Sequence, residues 1–429
     1  MADMKRVYKL FDPAPLGDDR ADLYVNLDSV RGSAGLVRRM AQKIRLSDPP
    51  TCQVIAGHRG SGKSTELWRL GRELTHPEDA KDSTYAVVTL RALDVLDPND
   101  VDVPELILAI VQQVAATLGG APYRIKLRPG YFQELLPRLK KALGTEVEIT
   151  GGDLVTPLGR IGVAVKNSPD ARSEVRKALE PHTGTLLQAA NDFFGEAALA
   201  LDKEGKAGLV VIVDDLDKMI TRPHTEAGCP TTEYLFVHRS AQLTGLACHM
   251  VYSIPIELAY SCHEPTIRQR YGGVIHMVPM TKVTTPPPDR APYEEGITLL
   301  TDLVGKRAEA AGAALDDLFQ DGTLREMILF SGGQPSELMT MIREAMIADG
   351  LPIGQAGLRR CITESERGYA RLLMEEHKPL LKEAAETGNV TRSNETEPLL
   401  RDLLQNRTVL LYMNDDEWYD VNPAARGVV

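Results

Sequence analysis

Residues 57–65 read Gly57-His58-Arg59-Gly60-Ser61-Gly62-Lys63-Ser64-Thr65. No other stretch constrains the chain as much. It matches G-x-x-x-x-G-K-[ST] at every fixed position. The apolar run Cys52-Gln53-Val54-Ile55-Ala56 precedes it, and helical spacing follows to about Leu74. Glycines at 57, 60 and 62 permit backbone conformations that turn successive N–H groups inward. The N-terminus of the following helix adds the positive end of its dipole. Together these make a cradle for phosphate oxygens, so the whole stretch is the candidate nucleotide-contacting loop. Lys63 is positioned to reach the β and γ phosphates, and Ser64 to ligate Mg²⁺, which takes hard oxygen ligands. The alternative is a glycine-rich turn that happens to contain Lys-Ser. The flanking strand and helix weigh against it.

A loop of this kind calls for an apolar strand that ends in acid. Leu209-Val210-Val211-Ile212-Val213-Asp214-Asp215 has that form. Asp214 is the candidate Mg²⁺ ligand, directly or through water. Asp215 is the candidate base that orients and deprotonates an attacking water. The competing reading has Asp214 capping the next element. For Asp217 and Lys218, which follow, a solvated or capping role is the expectation.

The chain has 429 residues, which predicts about two to four domains at an ordinary domain size. Acids outnumber bases by 60 to 49, for a formal net charge of −11. A generic nucleic-acid binder would be basic, so the overall charge argues against one and leaves only a local strip open. The cysteines are Cys52, Cys229, Cys248, Cys262 and Cys361. Their odd number and the lack of a CxxC pair suit reduced thiols better than a disulfide framework. His224, Cys229, Cys248, His249, Cys262 and His263 fall close together in sequence, but their spacings match no finger or ribbon. No apolar run reaches the roughly 18 residues of a membrane span, and no apolar signal core opens the chain. A cytoplasmic protein is expected.

Strand-like runs at Tyr85–Leu90, Leu209–Val213, Met250–Ile256 and Val274–Val278 alternate with helical segments. That order predicts an open α/β class: a parallel sheet with helices on both faces. Asp102 and Pro104 start a helix that Gly119-Gly120 stops. Residues 145–166, broken by glycines, read as a hairpin insertion and a candidate pore or partner loop. Residues 170–201 read as one long helix. Thr284 to Pro292, with three consecutive prolines, reads as a stiff extended connector. The expected domains are a core over 1–284, a helical lid over 285–350, and a winged-helix-like domain over 351–429.

The phosphate loop, together with Asp214-Asp215-Leu216-Asp217-Lys218 after its apolar strand, resembles the STAND and AAA+ side of the P-loop ATPases, in an Orc/Cdc6-like arrangement. The shared order of elements runs from about residue 22 to 345. AAA+ members usually carry Asp-Glu at the strand end and STAND members often Asp-Asp, so Asp215 leans toward the latter. The resemblance implies ATP with Mg²⁺ as cofactor. It places Val25–Gly32, with Arg31, where an adenine-contacting segment lies, against a plain strand-to-helix turn. It makes Ser253 the candidate polar sensor, against a hydroxyl that satisfies local backbone. It makes Arg268 and Arg270 the candidate arginine fingers, against two solvated arginines. Ser331–Leu338 resembles the sensor-2 turn of the lid. Ser336 and Glu337 stand where that turn usually carries arginine, and Arg343 offers only a partial substitute.

The C-terminal helix and two-strand pattern resembles a winged helix. From Glu395 to Val429 it holds seven acids against three bases, a net −4, and its tip, Asn-Asp-Asp-Glu, would repel phosphate. A protein contact is therefore favoured over DNA. The leading expectation is an ATPase that switches conformation or assembly. It would form a homo-oligomer through the nucleotide site and act on a protein effector, and the resemblance extends to anti-phage and conflict systems. The alternatives are a non-hydrolysing nucleotide-dependent scaffold and a DNA-binding loader or transposition-type regulator.

Overall fold

A computed structural model of the chain describes residues 3–127, 132, 135–143, 155–224, 227–413 and 416–428. Two compact units divide it. One comprises Val37–Ala56 and Arg69–His276, the other Met1–Leu36, Gly57–Trp68 and Met277–Val429.

The first of these units is built on a sheet. Its strands are β1 (Cys52–Ala56), β2 (Ala86–Arg91), β3 (Leu209–Asp214), β4 (His249–Ser253) and β5 (Ile275–Met277), in the order β2-β3-β4-β1-β5. β1 pairs with β4, β2 with β3, and β3 with β4, all in parallel. β3 is buried at every position, which requires cover on both faces and explains its unbroken apolar run. The expected α/β parallel sheet is found.

Helix Val103–Gly119 starts on a capping box between Asp102 and Glu105: Glu105 Oε1 accepts from Asp102 N at 2.8 Å, and Asp102 Oδ1 also accepts from Val103 N at 2.7 Å. Residues 155–167 correct the hairpin expectation. They form a helix, Val155–Asn167, with Leu158, Ile161 and Val165 buried along one face. The glycines mark close approach rather than turns. A Cβ on Gly159 would lie 3.0 Å from Gln112 Nε2. The rest of the proposed insertion, residues 145–154, lies outside the described residues. The stretch expected as one helix over 170–201 is instead Pro169–Leu179 and Thr183–Lys203, joined by a 3₁₀ turn at Glu180–His182. Pro181 lacks the N–H that a continuous helix would use there.

The second unit has a helical core formed by Glu294–Ala311, Leu315–Leu318, Thr323–Phe330 and Pro335–Asp349. The N-terminal helix Met4–Leu10 buries Val7 against the same cluster. Residues 22–32 run from the end of a 3₁₀ helix, Asp18–Leu23, into a short helix at Asp28–Arg31. At the C-terminus, helices Gln355–Leu372, Lys378–Thr387 and Thr396–Gln405 lead into an antiparallel hairpin of β6 (Val409–Met413) and β7 (Glu417–Val421). This is the element order of a winged helix. Trp418 stacks on Tyr412 with ring centroids 4.1 Å apart and is buried with Met280 and Leu410, so it belongs to the core. Residues 414–415 of the hairpin tip lie outside the described residues.

The proline-rich segment is not an extended spacer. Thr284 bridges Pro292, and Thr285 N donates to Ala291 O at 2.8 Å, closing the loop on itself. Arg290 at its apex donates to both carboxylate oxygens of buried Asp420, at 3.0 and 2.8 Å. A bidentate pair of this kind fixes orientation as well as distance. The segment is therefore a clasp on the C-terminal hairpin.

Candidate functional site

β1 runs directly into Gly57, and Lys63 opens helix Lys63–Thr75. Gly57, Gly60 and Gly62 all have positive φ. At Gly60 space as well as conformation demands glycine: φ is +82°, and a Cβ would meet Ser336 Oγ at 1.9 Å. Lys63 Nζ donates to Gly57 O at 2.6 Å and His58 O at 2.8 Å, so its ammonium arches over the loop's own carbonyls. Ser61 is fully buried, and its hydroxyl has no hydrogen-bond partner among the described residues. Ser64, Thr65, Arg59 and Gly62 are partly exposed.

Three supports hold this loop from within its own unit. Arg31 stands beneath it. Its guanidinium donates to Ser61 O at 2.6 Å, to Glu66 Oε1 at 3.2 Å and to Thr281 Oγ1 at 3.3 Å. Arg31 is 3% exposed, so the structure gives it a bracing position, where the family resemblance put an adenine contact. The second support is the turn at 331–336: Gln334 Nε2 donates to Arg59 O at 2.7 Å. The third is the C-terminal module, through His58. Leu411 N donates to His58 Nε2 at 2.9 Å, and Leu404 O lies 3.1 Å from Nδ1. Since Nε2 accepts, Nδ1 must carry the proton and donate. The His58 side chain thus faces the C-terminal module, leaving only its backbone for a phosphate.

Burial pushes the His58 imidazole down to about 3, and the nearby Lys63 and Arg407 charges push the same way against the Leu404 carbonyl. The folded value lies below the unfolded one of about 6.5. The ring's contribution to stability is therefore complete above about pH 6.5 and is lost as pH falls toward 3. At about pH 5 this one group should cost about 2 kcal/mol. His58→Gln is expected to lower stability at neutral pH and to flatten the loss between about pH 7 and 5. Denaturant titrations across that range measure both. An unchanged slope would mean that His58 titrates normally.

In the other unit, the strand ends line up along one edge of the sheet. Ser253 lies opposite Ile55 in register, and Asp214 opposite Arg91. The Asp214 carboxylate accepts from Asp215 N at 2.7 Å. Asp215 has φ of +69°, uncommon for a non-glycine residue and often found at sites of function. It is 2% exposed. Arg91 Nε reaches its Oδ2 at 3.3 Å, and Lys218 Nζ pairs with its Oδ1. Each oxygen of the candidate base therefore already has a cationic partner. Sequence reasoning missed both cations: Lys218 was expected to be solvated or capping, and Arg91 ends an ordinary strand. Spacing offered the one available signal, since Lys218 lies three residues after Asp215. Ser253 is fully buried, and its Oγ accepts from Leu216 N at 3.1 Å. The hydroxyl does satisfy backbone, and in doing so it ties β4 to the turn that carries Asp215.

Arg268 is largely exposed and pairs with Glu264 one turn back, while Arg270 turns inward to Ser240 Oγ. Of the two, Arg268 has the freer reach toward another surface. Arg343 stacks 3.9 Å over the Tyr8 ring and pairs with Asp12 at 3.5 Å. That commits it to the N-terminal helix and removes it as a substitute for a lid arginine.

No protein-family model matches the chain, and no curated protein matches it. Among solved structures it is similar to the Aeropyrum pernix ORC2 protein in ADPNP-ADP complexes. The identity is 15%, with 98% of this chain and 93% of that one covered, at a TM-score of 0.42. It is also similar to Cdc6p from Pyrobaculum aerophilum, at 13% identity, 97% and 94% coverage and a TM-score of 0.38. A third is Drosophila ORC bound to DNA, at 11% identity, 98% and 88% coverage and a TM-score of 0.39. At such scores the reading of the chain rests on its own residues.

Proposed function

We propose that the chain binds ATP with Mg²⁺ on the loop 57–65 and hydrolyses it slowly, as a conformational or assembly switch for a protein partner. The observation that carries this reading is the loop itself: a complete phosphate-binding sequence, with glycines at positive φ, set between a buried parallel strand and a helix N-terminus. The buried Ser61 hydroxyl, without a hydrogen-bond partner among the described residues, suits a phosphate oxygen. Two acids at the end of β3 suit a hard divalent cation. When bound, Mg²⁺ neutralises phosphate charge. In this reading Ser64 and Asp214 hold the ion, Lys63 meets the terminal phosphates, and Asp215 orients the water. Arg268 reaches a neighbouring copy in a homo-oligomer.

His58 gives the switch a route. It belongs to the phosphate loop, and both its ring nitrogens are committed to the C-terminal module. A change in loop conformation on nucleotide binding must break or carry those two bonds. The acidic C-terminal module favours a protein partner over nucleic acid, and its cytoplasmic setting and any role in anti-phage defence belong to the same proposal.

The second reading is a scaffold that binds ATP without turnover. The pairing of Asp215 with Arg91 and Lys218 favours it, as does a lid turn with Ser336 and Glu337 where an arginine would act. Steady-state phosphate release separates the two. Slow turnover in the wild type that falls by about 10²-fold or more in Asp215→Ala supports hydrolysis. Tight nucleotide binding with no turnover in either protein establishes the scaffold.

A further inference from the structure

The segment between β3 and β4 gathers a donor set outside the nucleotide loop. Pro223 bridges Pro230, and His224 N donates to Cys229 O at 2.8 Å. A helical turn, Thr231–Glu233, then passes into a π-helical turn, Tyr234–His238, closed by Arg239 N on Tyr234 O at 3.0 Å. The wider π turn has a specific consequence. It brings residues five apart onto one face, whereas an α-helix would bring together those three or four apart. Glu233 and His238 are five apart. His238 Nε2 lies 3.7 Å from Glu233 Oε1. The donor atoms of Cys229, Glu233 and His238 all lie within 4.8 Å of one another. His263, from the residue before helix Glu264–Arg270, places its Nε2 3.2 Å from the other Glu233 oxygen.

We propose that Cys229, Glu233, His238 and His263 form a binding site for a zinc-class divalent ion, one that clips the Cys229–His238 segment to the helix carrying Arg268 and Arg270. One thiolate, one carboxylate and two imidazoles are the donors zinc takes in tetrahedral sites. Ligand bonds of about 2.0–2.3 Å set tetrahedral donors about 3.3–3.8 Å apart, so the Cys229, Glu233 and His238 donors, within 4.8 Å of one another, need to close by about 1 Å, and His263 joins them from the second Glu233 oxygen. Glu233 sits at its centre with its side chain 12% exposed, while His238 and His263 are 53% and 28% exposed. An ion can therefore enter from solvent. The spacing Cys229-x₃-Glu233-x₄-His238 is not that of any finger, because those patterns assume α-helical or knuckle geometry. The π turn and the distant His263 make the set visible only in the fold. The site stands independently of the nucleotide reading.

The test uses the full chain, stripped with chelator, reloaded with Zn²⁺ or Co²⁺ and desalted. The expected result is one retained equivalent of metal and a cobalt spectrum with a thiolate-to-metal charge-transfer band. Cys229→Ser should abolish that band, and Glu233→Gln and His238→Ala should each weaken zinc binding at least about tenfold in competition with a chromophoric chelator. Cys361→Ser, in the other unit, should leave binding unchanged. The proposal is overturned if the wild-type protein retains no metal, if its cobalt complex lacks the thiolate band, or if Cys361→Ser abolishes the band and Cys229→Ser does not. The wild-type spectrum decides even if a variant fails to fold.

Discussion

Lys63→Ala is expected to reduce ATP hydrolysis by about 10²–10³-fold or more, the usual effect of removing a preorganised charge from a reacting phosphate or oxyanion. Lys63 is 5% exposed, and its ammonium is set over the loop by the carbonyls of Gly57 and His58. The charge is therefore held in place before nucleotide arrives, and little reorganisation opposes its use. Steady-state phosphate release measures turnover, and fluorescent-nucleotide titration measures binding. Particle size with and without ATP-Mg²⁺ measures assembly. In the switch reading, any ATP-dependent change in particle size disappears in Lys63→Ala together with turnover. The variant also loses two charge-assisted hydrogen bonds within the loop, worth a few kcal/mol at most. Its melting profile must therefore accompany the assays. A folded Lys63→Ala protein that hydrolyses ATP within about threefold of wild type would remove the loop from the chemistry.

The parts of the fold that local chemistry dictates could be read in advance. A buried parallel strand leaves an unbroken apolar run, as at Leu209–Val213. The box of Asp102 and Glu105 marks a helix start. The two-strand pattern read at the C-terminus is found as β6 and β7. Glycine was the main source of error, because the same residue serves opposite purposes. At 57, 60 and 62 it supplies positive φ, while at 159 it only lets a helix approach Gln112. The proline segment misled for a related reason: stiffness was legible, but direction was not. Its docking on the hairpin depends on Asp420, 130 residues from Arg290. The same distance in sequence hid the supports of the phosphate loop. His58 occupies an unrestricted position of the motif, and nothing local says that its ring meets Leu404 and Leu411. The Cys229 cluster depends on a π turn, whose five-residue spacing leaves no helical or strand period in the sequence.

Arg31→Ala is expected to destabilise the unit that carries the phosphate loop by about 3–5 kcal/mol, because it leaves a carboxylate buried without its guanidinium. Glu66 is 4% exposed and takes its ion pair from Arg31 at 3.2 Å. The same guanidinium holds Ser61 O, and its Nη2 would lie only 3.1 Å from a Cβ on Gly62. It therefore fills the space beneath the loop as well as neutralising the acid. Two consequences separate these roles. If the buried charge dominates, Arg31→Met combined with Glu66→Leu should recover most of the loss, since a packed apolar pair of similar volume is often neutral relative to an ion pair. If bracing the loop matters to function, the same double variant should still bind nucleotide more weakly, because methionine cannot donate to Ser61 O. Denaturant unfolding of wild type, both single variants and the double variant closes the cycle, and nucleotide titration on each folded protein supplies the second readout. A single-variant cost below about 1 kcal/mol would show that water reaches Glu66 and that the pair is only a surface contact. A double variant as unstable as the sum of the singles would show that shape, rather than charge, keeps Arg31 in place.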